Sequence, residues 1–515
     1  MTSRSPSPLD RAPVPPTIAI GAEHFRIDDV DALARGARAV LDPAARRRLE
    51  RSHAFARRLA VSATPVYGLS TGCGPLAGQR ISAAERERFQ RNLVRSHATT
   101  LGAPHPTAMV RAAMAARAHV LAKGLSGVAP QTVDTLVGML NAGMHPIVRE
   151  VGGVGASGDL VELAQIALAV LGEGEVEHAG ERLSAAAALA RTGLAPIVPV
   201  TREGLALMNG TSFHTGAAAL LAARARRVAA AADTAAAMSF DALGGHREAL
   251  DPALHMARAH AGARQVAARL TQLLDGSTLV RADASVAGSQ DAYTLRCIAQ
   301  VAGAARDLLD GAWRTIETEL DAVSDNPLLL ADEQRVVHGG NFHGQPVAMA
   351  LDQLKLAAAE LGVIAERRLA RLLDPALNNG LPPFLVRGDA GLQSGFMGLQ
   401  YCASAMTADT AVLVAPASVR SISTNANNQD VVSMGMVAAR QAARVLENTA
   451  HMVAIELLCA AQALELRGIA RAGAGTRAAH TAVRRVSAPL HDDRPLTGDV
   501  DAVLALIDGG AFTTL

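Results

Sequence analysis

Apolar residues recur at helical spacing along most of the chain, a pattern that predicts a mostly helical protein. Short strands are expected only within 174–188 and 328–337. The longest alanine- and leucine-rich segments with this pattern cover 203–240, 285–323, 346–373, 394–412 and 430–466, and shorter ones cover 28–60, 85–98 and 160–171. Long helices with apolar residues on two sides predict a long-helix bundle that also buries surface against other subunits.

Two glycine-rich loops interrupt the helical pattern in the first half of the chain. The first is TPVYGLSTGCGPL at 64–76, and the second is VGGVGASGDL at 151–160. Asp159 and Glu162 predict a capping box at the start of the helix that follows the second loop. The pattern divides the chain into a loose tail, 1–16, an N-terminal domain that carries both loops, 17–202, and a helical bundle with C-terminal helices, 203–515.

The composition narrows the class of protein. The chain has 515 residues, of which 50% are apolar and 19% are charged, so it can bury a large core. Its 49 basic and 48 acidic residues leave a net charge of +1, which argues against nucleic acid or an anionic membrane as the main partner. We expect no membrane span, because no uncharged apolar run reaches about 18 residues, and no signal peptide, because the N-terminus lacks an apolar core.

The cysteines and histidines predict neither a disulfide nor a metal site. The four cysteines are far apart in the sequence and form no CxxC motif, which is typical of a reduced, cytoplasmic protein. The 16 histidines include no HExxH motif. We therefore expect chemistry that needs no metal.

The tyrosines are candidates for chemistry because the chain has only 3 of them, Tyr67, Tyr293 and Tyr401. Tyr67 lies in the first glycine-rich loop, and Tyr293 lies in the polar segment SQDAYTLRC at 289–297. Tyrosines in polar surroundings are candidates for functional hydroxyl groups. The alternative interpretation is that each ring packs at an edge of the core.

The tripeptide Ala156-Ser157-Gly158 lies in the second loop, directly before a helix. Such a turn can cyclise when the glycine amide nitrogen attacks the alanine carbonyl carbon. Loss of two waters, one of which carries the serine hydroxyl, then leaves a methylidene-imidazolone, an electrophile made from the chain itself. Small residues are needed because the backbone must bend tightly. The simpler interpretation is an ordinary glycine turn before a helix.

Ten motifs occur in an order that is shared with a known family. They are YGLSTGCGPLA (67–77), NLVRSHA (92–98), GASGDL (155–160), LMNGT (207–211), SQDAYTLRC (289–297), AVSDNP (322–327), HGGNFHGQPVA (338–348), LPPFLV (381–386), SGFMGLQ (394–400) and STNANNQDVVSM (423–434). From about residue 20 to 510 the chain resembles the aromatic amino acid ammonia-lyases, which include histidine, phenylalanine and tyrosine lyases and related aminomutases. The resemblance implies the helical fold of the aspartase/fumarase lyases, a homotetramer, and a methylidene-imidazolone formed from Ala156, Ser157 and Gly158 without an external cofactor.

The resemblance also implies roles for individual residues. Tyr67 matches the tyrosine that takes the β-proton of the substrate, and Tyr293 matches a second catalytic tyrosine. Arg296 would hold the substrate carboxylate as a guanidinium fork. Tyr401 is one turn after Met397 and is expected either to face the same pocket or to pack on its helix. The other matching substrate-binding positions are Ser96, His97, Asn209, Gln290, Asn341 and Phe342, together with Asn425, Asn428 and Gln429, which match a segment contributed by a neighbouring subunit.

The chemistry of the family explains these residue types. The β-proton of an amino acid is very weakly acidic, and addition of the α-amine to the electrophile activates the C–N bond. A tyrosine in water has a pKa of about 10, so Tyr67 must become more acidic to serve as the base. Neighbouring cations and hydrogen bonds can lower a pKa in this way.

The residues expected to recognise the substrate ring leave more than one substrate open. Ser96-His97 is similar to the pair in histidine lyases, but a histidine there can equally bind a phenol hydroxyl, or be a core histidine on the face of Phe89 and Leu93. Gln429 is similar to the glutamine of phenylalanine and tyrosine lyases, whereas histidine lyases carry a glutamate. We therefore expect conversion of tyrosine to p-coumarate, with histidine to urocanate as the next candidate. An aromatic 2,3-aminomutase and an inactive helical scaffold are further alternatives.

Three residues depart from the family pattern. Glu162 and Gln165 replace the commoner proline and histidine in the helix after the tripeptide, where capping and packing are the expected roles. Cys73 replaces the usual phenylalanine in the Tyr67 loop and is expected to loosen that loop.

Overall fold

The computed structural model describes residues 16–282 and 290–514, and these residues are mostly helical, as predicted. They form two compact units. The first comprises the described residues up to Leu220, with Thr315–Ala348 and Ala417–Ala439; the second comprises Leu221–Arg314, Met349–Pro416 and the described residues from Arg440 onward. The units are discontinuous in sequence and differ from the continuous domains expected above. All but the last residue of the expected tail, and residues 285–289 of an expected helix, lie outside the described residues.

The helices are, in chain order, α1 (Ile27–Ala34), α2 (Pro43–Ala60), α3 (Arg86–His97), α4 (Thr107–Ala122), α5 (Pro130–Asn141), α6 (Leu160–Val170), α7 (Ala185–Thr192), α8 (Glu203–Met208), α9 (Ser212–Ala242), α10 (Pro252–Ala257), α11 (Ala261–Leu273), α12 (Tyr293–Arg296), α13 (Ile298–Asp321), α14 (Gln345–Leu373), α15 (Met397–Leu413), α16 (Gly435–Arg467), α17 (Ala474–Arg484) and α18 (Thr497–Asp508). The strands are β1 (Thr17–Ile20), β2 (Arg38–Leu41), β3 (Leu101–Pro104), β4 (Met144–Pro146), β5 (Arg149–Val151), β6 (Glu175–His178), β7 (Glu181–Ser184), β8 (Leu328–Leu330) and β9 (Arg335–Val337).

The small sheets belong to the first unit. Strands β1 and β2 pair in parallel, with Thr17 opposite Arg38. The pairs β3–β5 and β8–β9 and the three-stranded sheet β4–β6–β7 are antiparallel. The strands predicted within 174–188 and 328–337 are confirmed, and the remaining short strands were not predicted.

Three predicted helices are interrupted in the structure. The expected helix over 28–60 contains strand β2, after which the Asp42 side chain accepts the backbone N–H groups of Ala44 and Ala45 and begins α2. Residues 209–211 separate α8 from α9, and α12 ends before α13 begins. Hydrophobic periodicity continued across these breaks, so it could not reveal them.

Helix α4 lies at the centre of the first unit's core, since every residue from Val110 to Ala122 is buried. In the second unit, α16 contributes buried apolar residues such as Val453 and Leu457. Helix α16 is also long and apolar enough to cross a membrane by length and composition, although no such segment was expected. Most of its apolar stretch is buried, and a core helix passes the same test, so this is weak evidence for a membrane span.

Candidate active site

A cavity of about 920 Å³ lies in the first unit and brings together ten of the residues predicted from the sequence. These ten are Tyr67, Ser96, His97, Ala156, Ser157, Asn209, Phe342, Asn425, Asn428 and Gln429. Gly158 is buried next to this lining, and Asn341 precedes Phe342 without lining the cavity itself. A cavity of this size is typical of a small-molecule site.

Helix α3 turns its partly buried apolar residues toward this cavity. The buried residues of α3 are Arg86, Gln90 and Val94, whereas Phe89 and Leu93 line the cavity. His97 follows Leu93 by four residues and lines the cavity with them. The interpretation of His97 as a core histidine is therefore wrong, because its helix face borders open space.

The hydrogen bonds of His97 define which ring nitrogen can bind a ligand. Nδ1 lies 2.8 Å from the backbone oxygen of Leu93 and 3.0 Å from Oγ of Ser96. A carbonyl oxygen can only accept, so Nδ1 carries the proton and donates to Leu93. The neutral ring then has Nε2 as a hydrogen-bond acceptor for a ligand in the cavity.

The tripeptide forms the tight turn that the sequence predicted. Ser157 and Gly158 have φ angles of +58° and +74°, in the left-handed region. Ser157 O accepts the N–H of Gly210 at 3.1 Å, and Asp159 donates its N–H to Gly210 O at 2.8 Å. A Cβ atom on Gly158 would lie 2.1 Å from Gly210 O, so only glycine fits. The backbone here is bent and closely enclosed, as formation of a methylidene-imidazolone requires.

Asp159 does not form the predicted capping box. Its carboxylate instead accepts the backbone N–H groups of Phe213 and His214, both at 2.8 Å, at the start of α9. The same carboxylate accepts from Nδ1 of His214 at 2.7 Å. Burial lowers the pKa of His214, but the charges of Asp159, Glu319 and Glu162 outweigh this effect, so the pKa is raised overall. Asp159 thus links the tripeptide to another helix.

Glu162 also has a partner other than the one predicted. Its Oε1 accepts the N–H of Gly153 at 2.7 Å, and its side chain is fully buried. Burial and the nearby charge of Asp159 raise the pKa of Glu162 to about 7. The predicted capping box is wrong because the local spacing of Asp159 and Glu162 gave no information on these more distant partners.

Asn209 is held in one orientation beside the tripeptide. Its Nδ2 donates to Oδ1 of Asp325 at 2.9 Å and to the backbone oxygen of Asn326 at 3.2 Å. Asp325 is in turn paired with Arg202 through contacts of 2.9 and 3.3 Å, and both side chains are fully buried. With Nδ2 occupied by these acceptors, Oδ1 of Asn209 is the atom that can accept from a ligand.

Tyr67 lies on the cavity, and its hydroxyl oxygen accepts the N–H of Gly74 at 2.8 Å. Burial and the Cys73 side chain nevertheless raise the pKa of Tyr67. The expected acidification is therefore absent from this structure. Arg202 is the cation that acts on Tyr67, and its charge is already compensated by Asp325.

Cys73 lies at the cavity wall with Tyr67, where the family resemblance implies a phenylalanine. Burial raises the pKa of its thiol to about 11. The side chain is accordingly a neutral thiol at physiological pH.

The segment with Asn425, Asn428 and Gln429 lines the cavity of its own chain. Nε2 of Gln429 donates to Oγ of Ser157 at 3.1 Å, and Oε1 of Gln429 accepts from Thr424 at 3.2 Å. Asn425 and the two residues after it have positive φ angles of 53°, 53° and 62°, a strained conformation for residues with side chains. The expectation that a neighbouring subunit contributes this segment is therefore corrected, since the same chain carries it to the cavity.

Gln290, Tyr293, Arg296 and Tyr401 belong to the second unit and do not line the cavity. Arg296 donates to Oε1 of Gln290, and its guanidinium carbon lies 4.8 Å from the centre of the Tyr293 ring. Tyr293 and Tyr401 are 69% and 68% exposed. The expectation that Tyr401 faces the pocket is not met in this chain, because spacing relative to Met397 does not define the direction of the helix face.

The structure adds lining residues that the sequence did not single out. They include Leu76, Asn326, His338, His343 and Asp430. The sequence could have indicated these residues, because each of them lies within one of the ten motifs that the chain shares with the family. Asp430 is the one carboxylate among the described residues that line the cavity, and none of these residues is lysine or arginine.

Comparison with known proteins identifies the class to which this fold and cavity belong. The aromatic amino acid lyase family matches residues 25–485. The chain belongs to this family and is a carbon–nitrogen (ammonia) lyase.

Three relatives illustrate the range of activities within the family. The chain is 46% identical to a histidine ammonia-lyase from Symbiobacterium thermophilum, covering 96% of this chain and 97% of the relative. The structure of a tyrosine aminomutase from Streptomyces globisporus is similar with a TM-score of 0.92 and 36% identity, covering 96% and 98% of the two chains. A histidine ammonia-lyase from Trypanosoma cruzi gives a TM-score of 0.89 and 37% identity, covering 96% and 94%.

Proposed function

We propose that this lyase eliminates ammonia from L-histidine to give urocanate. The observation that carries the proposal is His97, whose Nε2 can accept a hydrogen bond on the cavity wall. A neutral imidazole has a ring N–H to donate to it, whereas the ring of phenylalanine has none. The 46% identity to a histidine ammonia-lyase over nearly the whole chain supports histidine over tyrosine, our first expectation.

Asp430 provides a carboxylate next to Gln429, the neutral residue that argued against histidine as the substrate. Gln429 is neutral at a position where histidine lyases carry a glutamate, but the next residue, Asp430, also lines the cavity. A carboxylate close to an imidazole stabilises its protonated form. With glutamine at residue 429, Asp430 still provides a carboxylate in this part of the cavity.

We further propose that Ala156, Ser157 and Gly158 form the methylidene-imidazolone, with no external cofactor. Once formed, this group supplies an electrophile for the α-amine of the substrate. Asn209, with Nδ2 bound to Asp325, presents Oδ1 to accept an N–H of that amine. The oxygen of Tyr67, oriented by the N–H of Gly74, receives the β-proton as the phenolate, so the working site must lower the pKa that the single chain raises.

The cavity has no lysine or arginine for the substrate carboxylate among its described lining residues, so we propose a homotetramer in which another subunit supplies Arg296. Helix α15 supports assembly: it is largely apolar, yet its buried residues are only Leu399, Ala403 and Thr410. Val412 on the same helix is 80% exposed. A helix with so much exposed apolar surface is typical of a protein interface.

Tyrosine remains a second candidate substrate, with Gln429 as the observation that favours it. The Nε2 group of Gln429 lies 3.1 Å from Oγ of Ser157, so a neutral amide rather than a carboxylate faces the tripeptide. A phenol hydroxyl can also donate to Nε2 of His97. The similarity to a tyrosine aminomutase adds the possibility that ammonia is returned to the β-carbon.

Substrate identity is tested by incubating the pure enzyme separately with L-histidine, L-tyrosine and L-phenylalanine and identifying each product by mass. We expect urocanate to form with the highest kcat/KM. Formation of p-coumarate or β-tyrosine at a higher kcat/KM would overturn the histidine proposal in favour of the second candidate. Intact mass tests the cofactor, because the mature chain must be lighter by two waters than its sequence.

The shared site is tested by mixing two inactive variants, Ser157→Ala and Arg296→Ala, in one cell. Mixed tetramers contain cavities that join an intact tripeptide to an intact Arg296 from another chain. We expect activity in purified mixed tetramers and almost none in either variant alone. Mixed tetramers without activity would mean that Arg296 acts in the cavity of its own chain, and would overturn the proposal of a shared site.

A further inference from the structure

Glu162 is costly to bury, and the proposed function gives it no role. Its side chain is fully buried, and Oε2 has no hydrogen-bond partner within the described residues. A buried carboxyl group destabilises a protein unless it is paired. Its one strong contact is the 2.7 Å hydrogen bond from the N–H of Gly153 to Oε1.

Gly153 and Glu162 are matched in shape. A Cβ atom at residue 153 would lie 2.3 Å from Oε2 and 2.5 Å from Oε1 of Glu162, so the carboxyl group occupies the space that any other residue would need. The hydrogen bond also satisfies a buried backbone N–H, which would otherwise be unpaired. The two residues therefore form one contact that depends on both.

This contact holds the start of the segment that contains the tripeptide. Farther along, Val154 O accepts the N–H of Met434 at 3.0 Å, and Ser157 O accepts the N–H of Gly210 at 3.1 Å. Those two contacts are made by backbone atoms. Glu162 adds a side-chain contact at residue 153, four residues before Ser157, where the turn with positive φ at Ser157 and Gly158 begins.

We propose that Glu162 is a positioning residue for the self-formation of the methylidene-imidazolone. By holding Gly153, it keeps the tripeptide bent while the amide nitrogen of Gly158 bonds to the carbonyl carbon of Ala156. The first water takes the Ala156 oxygen and the amide protons of Gly158 and Ser157, and the second takes the Ser157 hydroxyl and its Cα proton. Glu162 exchanges no atom in these steps. The inference rests on the proposed cofactor.

The test compares Glu162→Gln with Glu162→Leu. Both are uncharged and close to glutamate in size, but only glutamine keeps an oxygen to accept from Gly153. Freshly synthesised full-length chains are followed by intact mass for the loss of two waters, with circular dichroism to confirm folding. We expect Glu162→Gln to dehydrate at nearly the wild-type rate and Glu162→Leu about tenfold more slowly, because a buried N–H loses a partner. Gln165→Ala, on the same helix, is the control and should match the wild type.

Gly153→Ala tests the contact from its other side and keeps the test valid if Glu162→Leu fails to fold. The new methyl group displaces the carboxyl group, so dehydration should again be about tenfold slower. A folded Glu162→Leu or Gly153→Ala chain that loses both waters at the wild-type rate overturns the inference alone. A wild-type chain that retains both waters overturns the proposed cofactor and this inference together.

Discussion

The floor and the wall of the cavity are built differently. The floor comprises residues 153–159 and 209–214, where Asp159 and Asn209 are at most 4% exposed and bonded to other buried groups. The wall comprises residues 96–97 and 425–430, where Asn425, Asn428 and Asp430 are exposed. Changing a floor residue disturbs several buried partners, whereas a wall residue can change with little effect on its surroundings. We therefore assign the common chemistry to the floor and substrate choice to the wall.

The largest effect is expected at the floor from Ser157→Ala. This variant keeps the backbone of the turn but lacks the hydroxyl that must leave to create the electrophile. We expect turnover below about a tenth of the wild-type rate, which corresponds to a barrier raised by more than about 1.4 kcal/mol. Steady-state assays measure the rate, and an unchanged circular dichroism spectrum shows that the fold is kept. A variant that exceeds this rate would contradict the assignment of the cofactor.

Tyr67→Phe is expected to have the next largest effect. The ring remains in the loop, but the oxygen that accepts from Gly74, and that we propose as the base, is lost. We expect kcat to fall about 10²- to 10⁴-fold while KM changes little, because the lost interaction acts mainly in the transition state. If KM rose and kcat stayed the same, Tyr67 would be a substrate-binding residue instead.

The floor and the wall also differ in how far the sequence predicted them. The tripeptide was predicted from a short glycine-rich motif that defines a tight turn locally, and Tyr67 from the scarcity of tyrosine in the chain. The partners of the floor were not found, since Asp159 reaches His214, 55 residues farther along, and this depends on tertiary packing. Periodicity identified α3 correctly but could not tell whether Phe89 faces a core or a cavity.

His97→Phe tests the wall, where the expected effect is a change of preference rather than a general loss. The variant removes the acceptor Nε2 and offers an apolar ring. Burying a donor without a partner costs about 1–3 kcal/mol. We expect kcat/KM for histidine relative to phenylalanine to fall roughly 10- to 100-fold.

Asp430→Asn, also in the wall, distinguishes histidine from tyrosine as the substrate. Loss of the carboxylate should lower kcat/KM for histidine about tenfold and leave tyrosine nearly unchanged, because only imidazole gains from a nearby negative charge. Parallel assays with both amino acids provide the measurement. Equal losses of kcat/KM for both amino acids would mean that Asp430 does not determine substrate specificity.

The smallest effect on activity but a clear effect on stability is expected from Glu162→Gln, at the residue that accepts the N–H of Gly153 in the floor. The pKa of Glu162 is about 7 in the folded chain, against an ordinary value of 4.5, so folding favours the protonated acid. The stability from this group is fully present below pH 4.5 and is lost as the pH rises through 7. Each tenfold change in the acid constant is worth about 1.4 kcal/mol, so the charged form costs on the order of 3 kcal/mol at pH 8. Thermal unfolding should show Glu162→Gln more stable than the wild type at pH 8 and nearly equal to it at pH 4. The same difference at both pH values would mean that the charge of Glu162 is not what destabilises the floor.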